Sequence, residues 1–257
     1  MSRPPKNKVA PQSAALWLLD SGGVREDDLE FFGQQLGVGE AHRYARFTRV
    51  ERKRQFLLGH MLLRAAVSDL TGLSPEDVGV VERPGNAPQL VLSDSQCLPQ
   101  FSLSHSRNWI VCAVSRDANL GVDIEVRDST RDVVALSETA FDPGEHLWLL
   151  RQPDGTRVSA FYDLWSTREA LHKLLSRSGR EATLSSLIGA DGSLASQGCG
   201  WHRYASSHPG LTLVVCSDRP LSALRKIELT GLTRAEWLRT FIPISLLAGG
   251  IASTCMP

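Results

Sequence analysis

The sequence predicts an α+β protein in which a long helix followed by short strands occurs twice. Three observations carry this reading. Phe56, Leu63, Val67 and Leu70 form an apolar stripe at helical spacing. Short apolar or alternating stretches bounded by turn residues follow it. A second helical stretch over 158–176 is again followed by strand-like runs. With 257 residues the chain can bury a real core as one large domain or two small ones.

Taken in order, Thr48 with Glu51 reads as a capping box opening the first long helix, and Gly72 as its stop. Ser74-Pro75-Glu76-Asp77 starts a short turn or helix, with Pro75 suited to the first helical position. Strands are predicted at 78–81, 90–92, 101–103, 109–115 and 120–126. Arg116-Asp117-Ala118-Asn119, between the last two, has hairpin chemistry. After the second helix, strands are predicted at about 201–204, 211–216 and 227–229. Thr233 with Glu236 reads as another capping box. The sequence carries no internal repeat.

Composition narrows the function. The 28 basic and 28 acidic residues balance, so no bulk attraction to nucleic acid or to a membrane follows. The five cysteines, Cys97, Cys112, Cys199, Cys216 and Cys255, include no close pair. That pattern fits a reducing compartment better than a zinc site or a disulfide framework. Residues 1–15 are basic and contain proline, with no apolar run before Ala14, which argues against a secretory signal. The apolar stretch 241–252 is broken by Pro243 and Gly249-Gly250 and is shorter than the about 20 residues a membrane span takes. A cytoplasmic protein is expected.

Two stretches carry chemistry. In the strand Gly121-Val122-Asp123-Ile124-Glu125, Asp123 and Glu125 share one face, while Leu120, Val122, Ile124 and Val126 share the other and read as core. In the helix Trp165-Ser166-Thr167-Arg168-Glu169-Ala170-Leu171-His172-Lys173, the residues Trp165, Glu169 and Lys173 line one stripe. Two strand carboxylates with a helix Glu and Lys are what a hard divalent cation and a phosphate would want. Simpler readings exist. The carboxylates also suit the solvated face of an edge strand. Glu169 and Lys173 also suit an i,i+4 helix pair worth about 0.3–0.5 kcal/mol, and Trp165 reads as core in any case. Like charges side by side repel, however, and a cation between them gives that placement a reason. His105, between Ser104 and Ser106 at a strand end, stands among small donors able to hold a phosphate oxygen. A protease-like Ser104–His105 pair fails, because adjacent strand residues point to opposite faces.

These motifs together resemble the 4′-phosphopantetheinyl transferases, specifically the larger monomeric type that activates peptide and polyketide synthase carriers. That family carries Gly-[Val/Ile]-Asp-x-Glu, Phe-x-x-x-Glu and Trp-x-x-Lys-Glu-[Ala/Ser]-x-x-Lys. The middle motif falls on Phe141-Asp142-Pro143-Gly144-Glu145, and in the third Arg168 replaces the Lys. Ser104-His105-Ser106 matches a further family element. The four motifs occur in family order over residues 104–173, and the resemblance extends more loosely over 14–218.

The resemblance implies two similar, pseudo-symmetric α+β halves with the active site between them. It divides the chain into a flexible N-terminus at 1–14, an N-terminal half at 15–120, a C-terminal half at 121–220 and an extension at 221–257 of unassigned role. It implies coenzyme A as substrate and an apo acyl or peptidyl carrier protein as partner. Mg²⁺, or Mn²⁺, is expected on Asp123, Glu125 and Glu169, and the protein is expected to be a monomer. Catalysis falls to Glu169, Lys173 and Asp123. Coenzyme A contacts fall to Arg43, Arg54, Ser104, His105 and Lys173. Arg168 is expected to point elsewhere, toward the carrier or a phosphate rim. Glu145 reads equally as a site residue or as a helix-starting, dipole-matching one.

The chain departs from the family pattern at three places. Gln55 stands where an Arg is usual, with Arg54 or Arg52 beside it to serve instead. Asn86-Ala87-Pro88 stands for Gly-Lys-Pro, and Arg177-Ser178-Gly179 for Gly-Lys-Gly. These losses bear on coenzyme A affinity. They support an alternative, a non-catalytic module of the same fold that binds coenzyme A or a carrier. A two-carboxylate nucleotide hydrolase is a further alternative, but it leaves Trp165 and the carrier-facing helix without a role. The small homotrimeric carrier-protein synthases match poorly, since this chain is long enough for both halves.

Overall fold

The computed structural model describes residues 13–81, 83, 88–92, 98–177 and 187–241. Its first part contains β1 (Ser13–Asp20), α1 (Glu26–Gly33), α2 (Val38–Ala45), α3 (Val50–Thr71), β2 (Val78–Val81), β3 (Gln89–Leu92), β4 (Gln100–Ser106) and β5 (Trp109–Ser115). There follow β6 (Leu120–Val126), α4 (Val133–Ala140), α5 (Pro143–Leu150), α6 (Asp154–Arg177), β7 (Gln197–Gly198), β8 (Trp201–His208), β9 (Leu211–Ser217), β10 (Ala223–Leu229) and α7 (Arg234–Phe241). Residues 86 and 87, 178 and 179, Cys97, Cys255, most of 241–252 and nearly all of 1–14 lie outside the described residues.

One four-stranded sheet has the order β10-β1-β5-β4 and a second the order β6-β9-β8-β7, with β2-β3 as a separate ribbon. The two larger sheets pack face to face. Leu16, Leu18, Val111 and Ala113 of the first meet Val122, Ile124, Leu213 and Val215 of the second in one apolar layer. Alternate residues of the same strands face outward. Trp17, Leu19, Ile110 and Cys112 lie under α3, and Val214 and Cys216 lie under α6. The order is helix, sheet, sheet, helix, with one long helix across each sheet. Each fully buried Leu of these layers contributes about 1.5–3 kcal/mol.

α3 ends as its sequence requires. Gly72 adopts φ 82°, and its N–H reaches the Ser68 carbonyl at 2.7 Å. Its start differs from expectation: Arg49 is the N-cap, and no side chain caps the helix. With Arg49 at the cap, Glu51 falls one position short of the place a capping box needs.

The hairpin expected at 116–119 is not one. β5 already has β1 on one side and β4 on the other, so both of its edges are taken. The chain therefore crosses to the second sheet, where β6 pairs with β9. Ser115 Oγ accepts from the N–H groups of Asp117 and Ala118, and Asn119 binds Asp218 through its backbone and side-chain nitrogens. The hairpin of this region joins β4 to β5, and Arg107 in its turn adopts φ 50°.

Residues 223–229 return to the first half. β10 pairs in parallel with β1, Ala223 opposite Ser13 through Leu229 opposite Leu19. The Thr233–Glu236 capping box is formed, and Trp237 of α7 packs edge-on against Phe32 with ring centroids 5.6 Å apart. Among the described residues no helix is long and apolar enough to cross a membrane.

Candidate active site

The site lies where the edge strand β4 of the first sheet comes alongside the edge strand β6 of the second, under α6. Asp123 is 4% exposed. Its Oδ1 accepts from Ser104 Oγ at 2.9 Å and from the Lys173 ammonium at 2.8 Å. Lys173 also donates to Ser104 Oγ at 2.9 Å and to the Val122 carbonyl at 3.0 Å, so its three N–H groups meet three acceptors. The other oxygen of Asp123, Oδ2, is buried and has no hydrogen-bond partner among the described residues.

Glu125 is half-buried and accepts from Ser106 Oγ at 2.8 Å. Burial lifts its carboxyl above the usual range, and the Asp123 charge adds to the lift against the hydrogen bond from Ser106. Trp165 of α6 packs against the core, as its sequence suggests. It is half-buried beside Phe141 and Phe161. Glu169 is half-buried one turn before Lys173, and its side chain makes no hydrogen bond or ion pair among the described residues. The simple helix pair is not formed, because Lys173 turns across to Asp123. Asp123, Glu125 and Glu169 do not close into a cage: among the described residues no three His, Cys, Asp or Glu groups form a cluster able to hold a metal ion. The Lys173 ammonium is the cation that meets Asp123 here.

Strand and helix come this close because residue 121 is glycine. A Cβ at Gly121 would lie 1.9 Å from the Ala170 carbonyl oxygen and 2.7 Å from the Leu174 nitrogen. Any side chain there would hold Glu169 and Lys173 away from the carboxylates.

Beside the seam is a cleft of about 430 Å³ lined by Arg43, Arg52, Phe56, Ser104 and His105, among others. Arg52 donates to His105 Nε2 at 2.9 Å. Burial, and then the Arg52 charge, push the imidazole below its ordinary pKa, so it is neutral at pH 7 and accepts from the guanidinium. Arg43 lies over the Phe56 ring at 5.5 Å. Gln55 lines the same cleft, buried, with its amide donating to the Arg107 carbonyl at 2.9 Å.

Arg54 requires a correction. It faces away from this cleft, donating to the carbonyls of Ser21 and Val24 and pairing with Glu26 at 3.0 Å. Arg52 is the helix cation that reaches His105. The reason is helical phase: residues 52 and 54 stand about 200° apart around α3. Arg168 lies over Phe141 and pairs with Glu145. Glu145 is 1% exposed and forms a capping box with Asp142. Burial raises its pKa against the opposing charge of Arg168.

Sequence reasoning passed over Arg52 as a committed contact and Ser106 as a partner of Glu125. The signal for Ser106 was present: Ser102, Ser104 and Ser106 repeat at the strand period, which puts three hydroxyls on one face.

Seen with this geometry, the comparisons are specific. Residues 119–198 match the family model described as the 4′-phosphopantetheinyl transferase superfamily. The chain is 32% identical over 181 residues to the 4′-phosphopantetheinyl transferase psf-1 of Bacillus pumilus, covering 66% of this chain and 73% of that protein. It is 28% identical over 173 residues to the 4′-phosphopantetheinyl transferase HetI of a Nostoc species, covering 67% and 73%. It is 26% identical over 147 residues to the 4′-phosphopantetheinyl transferase gsp of Aneurinibacillus migulanus, covering 57% and 59%. A two-sheet α+β fold with acidic and basic groups facing each other across its seam is thus joined to a shared sequence over most of its length. The chain belongs to the 4′-phosphopantetheinyl transferase superfamily.

Proposed function

We propose that the protein transfers 4′-phosphopantetheine from coenzyme A to a serine hydroxyl of an apo acyl or peptidyl carrier protein. The serine oxygen bonds to the phosphorus attached to pantetheine. The pyrophosphate P–O bond breaks, and adenosine 3′,5′-bisphosphate leaves. The observation that carries the site assignment is the buried Asp123 Oδ2, without a partner among the described residues, on the same strand face as Glu125.

Two hard oxygen donors, one of them orphaned in the interior, fit a hard divalent cation. Asp123 and Glu125 would hold Mg²⁺ or Mn²⁺, with Glu169 as the third carboxylate. When bound, such an ion neutralises charge on the phosphate oxygens.

The chain's own residues do the rest. Glu169, engaged by no other described group, takes the proton of the attacking serine. Lys173, with 28% of its side chain exposed, offers its ammonium to the leaving phosphate in exchange for one of its present acceptors. Arg43 and Arg52 supply positive charge to the coenzyme A 3′-phosphate, and guanidinium groups suit that ligand. Neutral His105 orients Arg52 and, with Ser104, lines the same cleft. Both halves of the site come from one chain, which supports a monomer. The free thiols of Cys199 and Cys216 suit a reducing cytoplasm.

The test is direct. The purified protein is incubated with coenzyme A, Mg²⁺ and a panel of apo carrier domains, and the carriers are weighed by mass spectrometry. A phosphopantetheine mass increase on a carrier is expected. Binding of coenzyme A with no mass gain on any carrier would leave a binding module instead.

A further inference from the structure

β4 and β6 run side by side, yet they belong to different sheets and no main-chain ladder joins them. Serine hydroxyls bridge the two edges. The Val122 N–H donates to Ser102 Oγ at 3.0 Å, and the Val126 N–H donates to Ser106 Oγ at 3.1 Å. Each pair is separated by 20 residues, so the strands run in the same direction in one register. Ser104, between them, is taken up by Asp123 and Lys173.

Ser106 differs from Ser102 in one respect. Both accept a strand N–H, but Ser106 also donates its single O–H to Glu125 Oε2 at 2.8 Å. A hydroxyl that accepts from a fixed backbone donor has little rotational freedom left for its own proton. Its direction is therefore set by β6, and through it the direction of the Glu125 carboxylate. Groups that orient a ligand side chain in this way tune the site as strongly as many ligands do.

We propose that Ser106 is a positioning residue for the transfer reaction: oriented by the Val126 N–H, its hydroxyl holds the Glu125 carboxylate in the orientation that receives a divalent cation. This rests on the cation reading of Asp123 and Glu125 given above. Ser102 supplies the control, since it makes the same seam contact without a carboxylate.

The experiment uses the full chain and the variants Ser106→Ala, Ser106→Thr and Ser102→Ala. Mn²⁺ binding to the protein alone is followed by electron paramagnetic resonance, alongside kcat and KM for coenzyme A. Ser106→Ala is expected to weaken Mn²⁺ binding about 10-fold and to lower kcat by about 10–100-fold, with KM for coenzyme A changed by less than about twofold. Ser106→Thr retains the hydroxyl and is expected to restore both. Ser102→Ala is expected to keep the parent Mn²⁺ affinity even where it lowers the melting temperature. Parent-like Mn²⁺ binding by Ser106→Ala would overturn the proposal. So would an equal loss in Ser102→Ala, which would assign the effect to the seam as a whole. A parent that transfers the group but binds no Mn²⁺ would overturn the cation reading and this inference with it. A parent that binds Mn²⁺ but modifies no carrier would overturn the transfer reading alone, and the binding arm would still decide the role of Ser106.

Discussion

Replacing Gly121 by Ala tests whether the close approach of β6 and α6 makes the site. The added Cβ would stand 1.9 Å from the Ala170 carbonyl oxygen and 2.7 Å from the Leu174 nitrogen. Both are backbone atoms of a helix packed on the second sheet, so neither can swing aside as a side-chain tip would. Relief requires α6 to retreat by roughly 1 Å in an interior with few voids to absorb it. Overpacking of this kind costs about 1–3 kcal/mol. For a chain of this size, each kcal/mol lowers Tm by about 2–4 °C. The functional cost is larger. Lys173 and Glu169 ride on α6, and a misplacement of about 1 Å can cost about 100-fold in rate. The cations that line the cleft beside the seam, Arg43 and Arg52, stand on other helices. The expected result is a fall in kcat of about 100-fold with a smaller change in coenzyme A affinity. Carrier modification under single-turnover conditions, calorimetric binding of coenzyme A and a thermal melt measure the three quantities. A Gly121→Ala protein with parental turnover and parental Tm would refute the packing argument.

Three further outcomes are expected. Glu40 is 1% exposed and, although burial opposes it, hydrogen bonds from His60 and Arg64 hold its pKa at about 2 against the usual 4.5. A depressed folded-state pKa stabilises above the unfolded value, so a contribution on the order of 3 kcal/mol is lost as pH falls from 4.5 toward 2. Denaturant melts of parent and Glu40→Gln across that window measure it, and parallel pH profiles would refute it. Arg52→Ala should raise KM for coenzyme A more than for dephospho-coenzyme A, with a salt dependence typical of exposed charge. Arg54→Ala should leave KM alone and cost about 1–3 kcal/mol in stability, because the Val24 carbonyl loses its guanidinium donor and the Ser21 carbonyl keeps only the Val24 N–H. The reverse pattern would return the phosphate role to Arg54. Glu169→Gln should lower kcat by about 10²–10⁴-fold with little change in coenzyme A binding; rapid-quench kinetics and an unchanged rate would exclude it as the base.

Much of the fold was legible because its signals are local. The strands 78–81, 109–115 and 120–126 fall where alternation and turn residues predicted them. The glycine stop at Gly72 and the capping box at Thr233 also depend on a few neighbouring residues. The hairpin at 116–119 failed for the opposite reason. Its four residues have suitable turn chemistry, but whether two strands pair depends on which edges are free, and β1 and β4 had taken both edges of β5. Likewise nothing within 223–229 announces a partner some 200 residues away, so the parallel pairing with β1 was invisible.

The site divides along the same line. By itself the sequence determined that Asp123 and Glu125 share one strand face and that Glu169 and Lys173 share one helix face, since strand and helix periods are properties of the backbone. Only the tertiary structure decided what those faces meet. Lys173 turned from Glu169 to Asp123, Arg168 was captured by Glu145, and Arg52 rather than Arg54 came to face His105. Each outcome depends on which of several nearby charges ends up closest after the sheets close. That distance is set by packing between segments far apart in the chain, which periodicity does not encode.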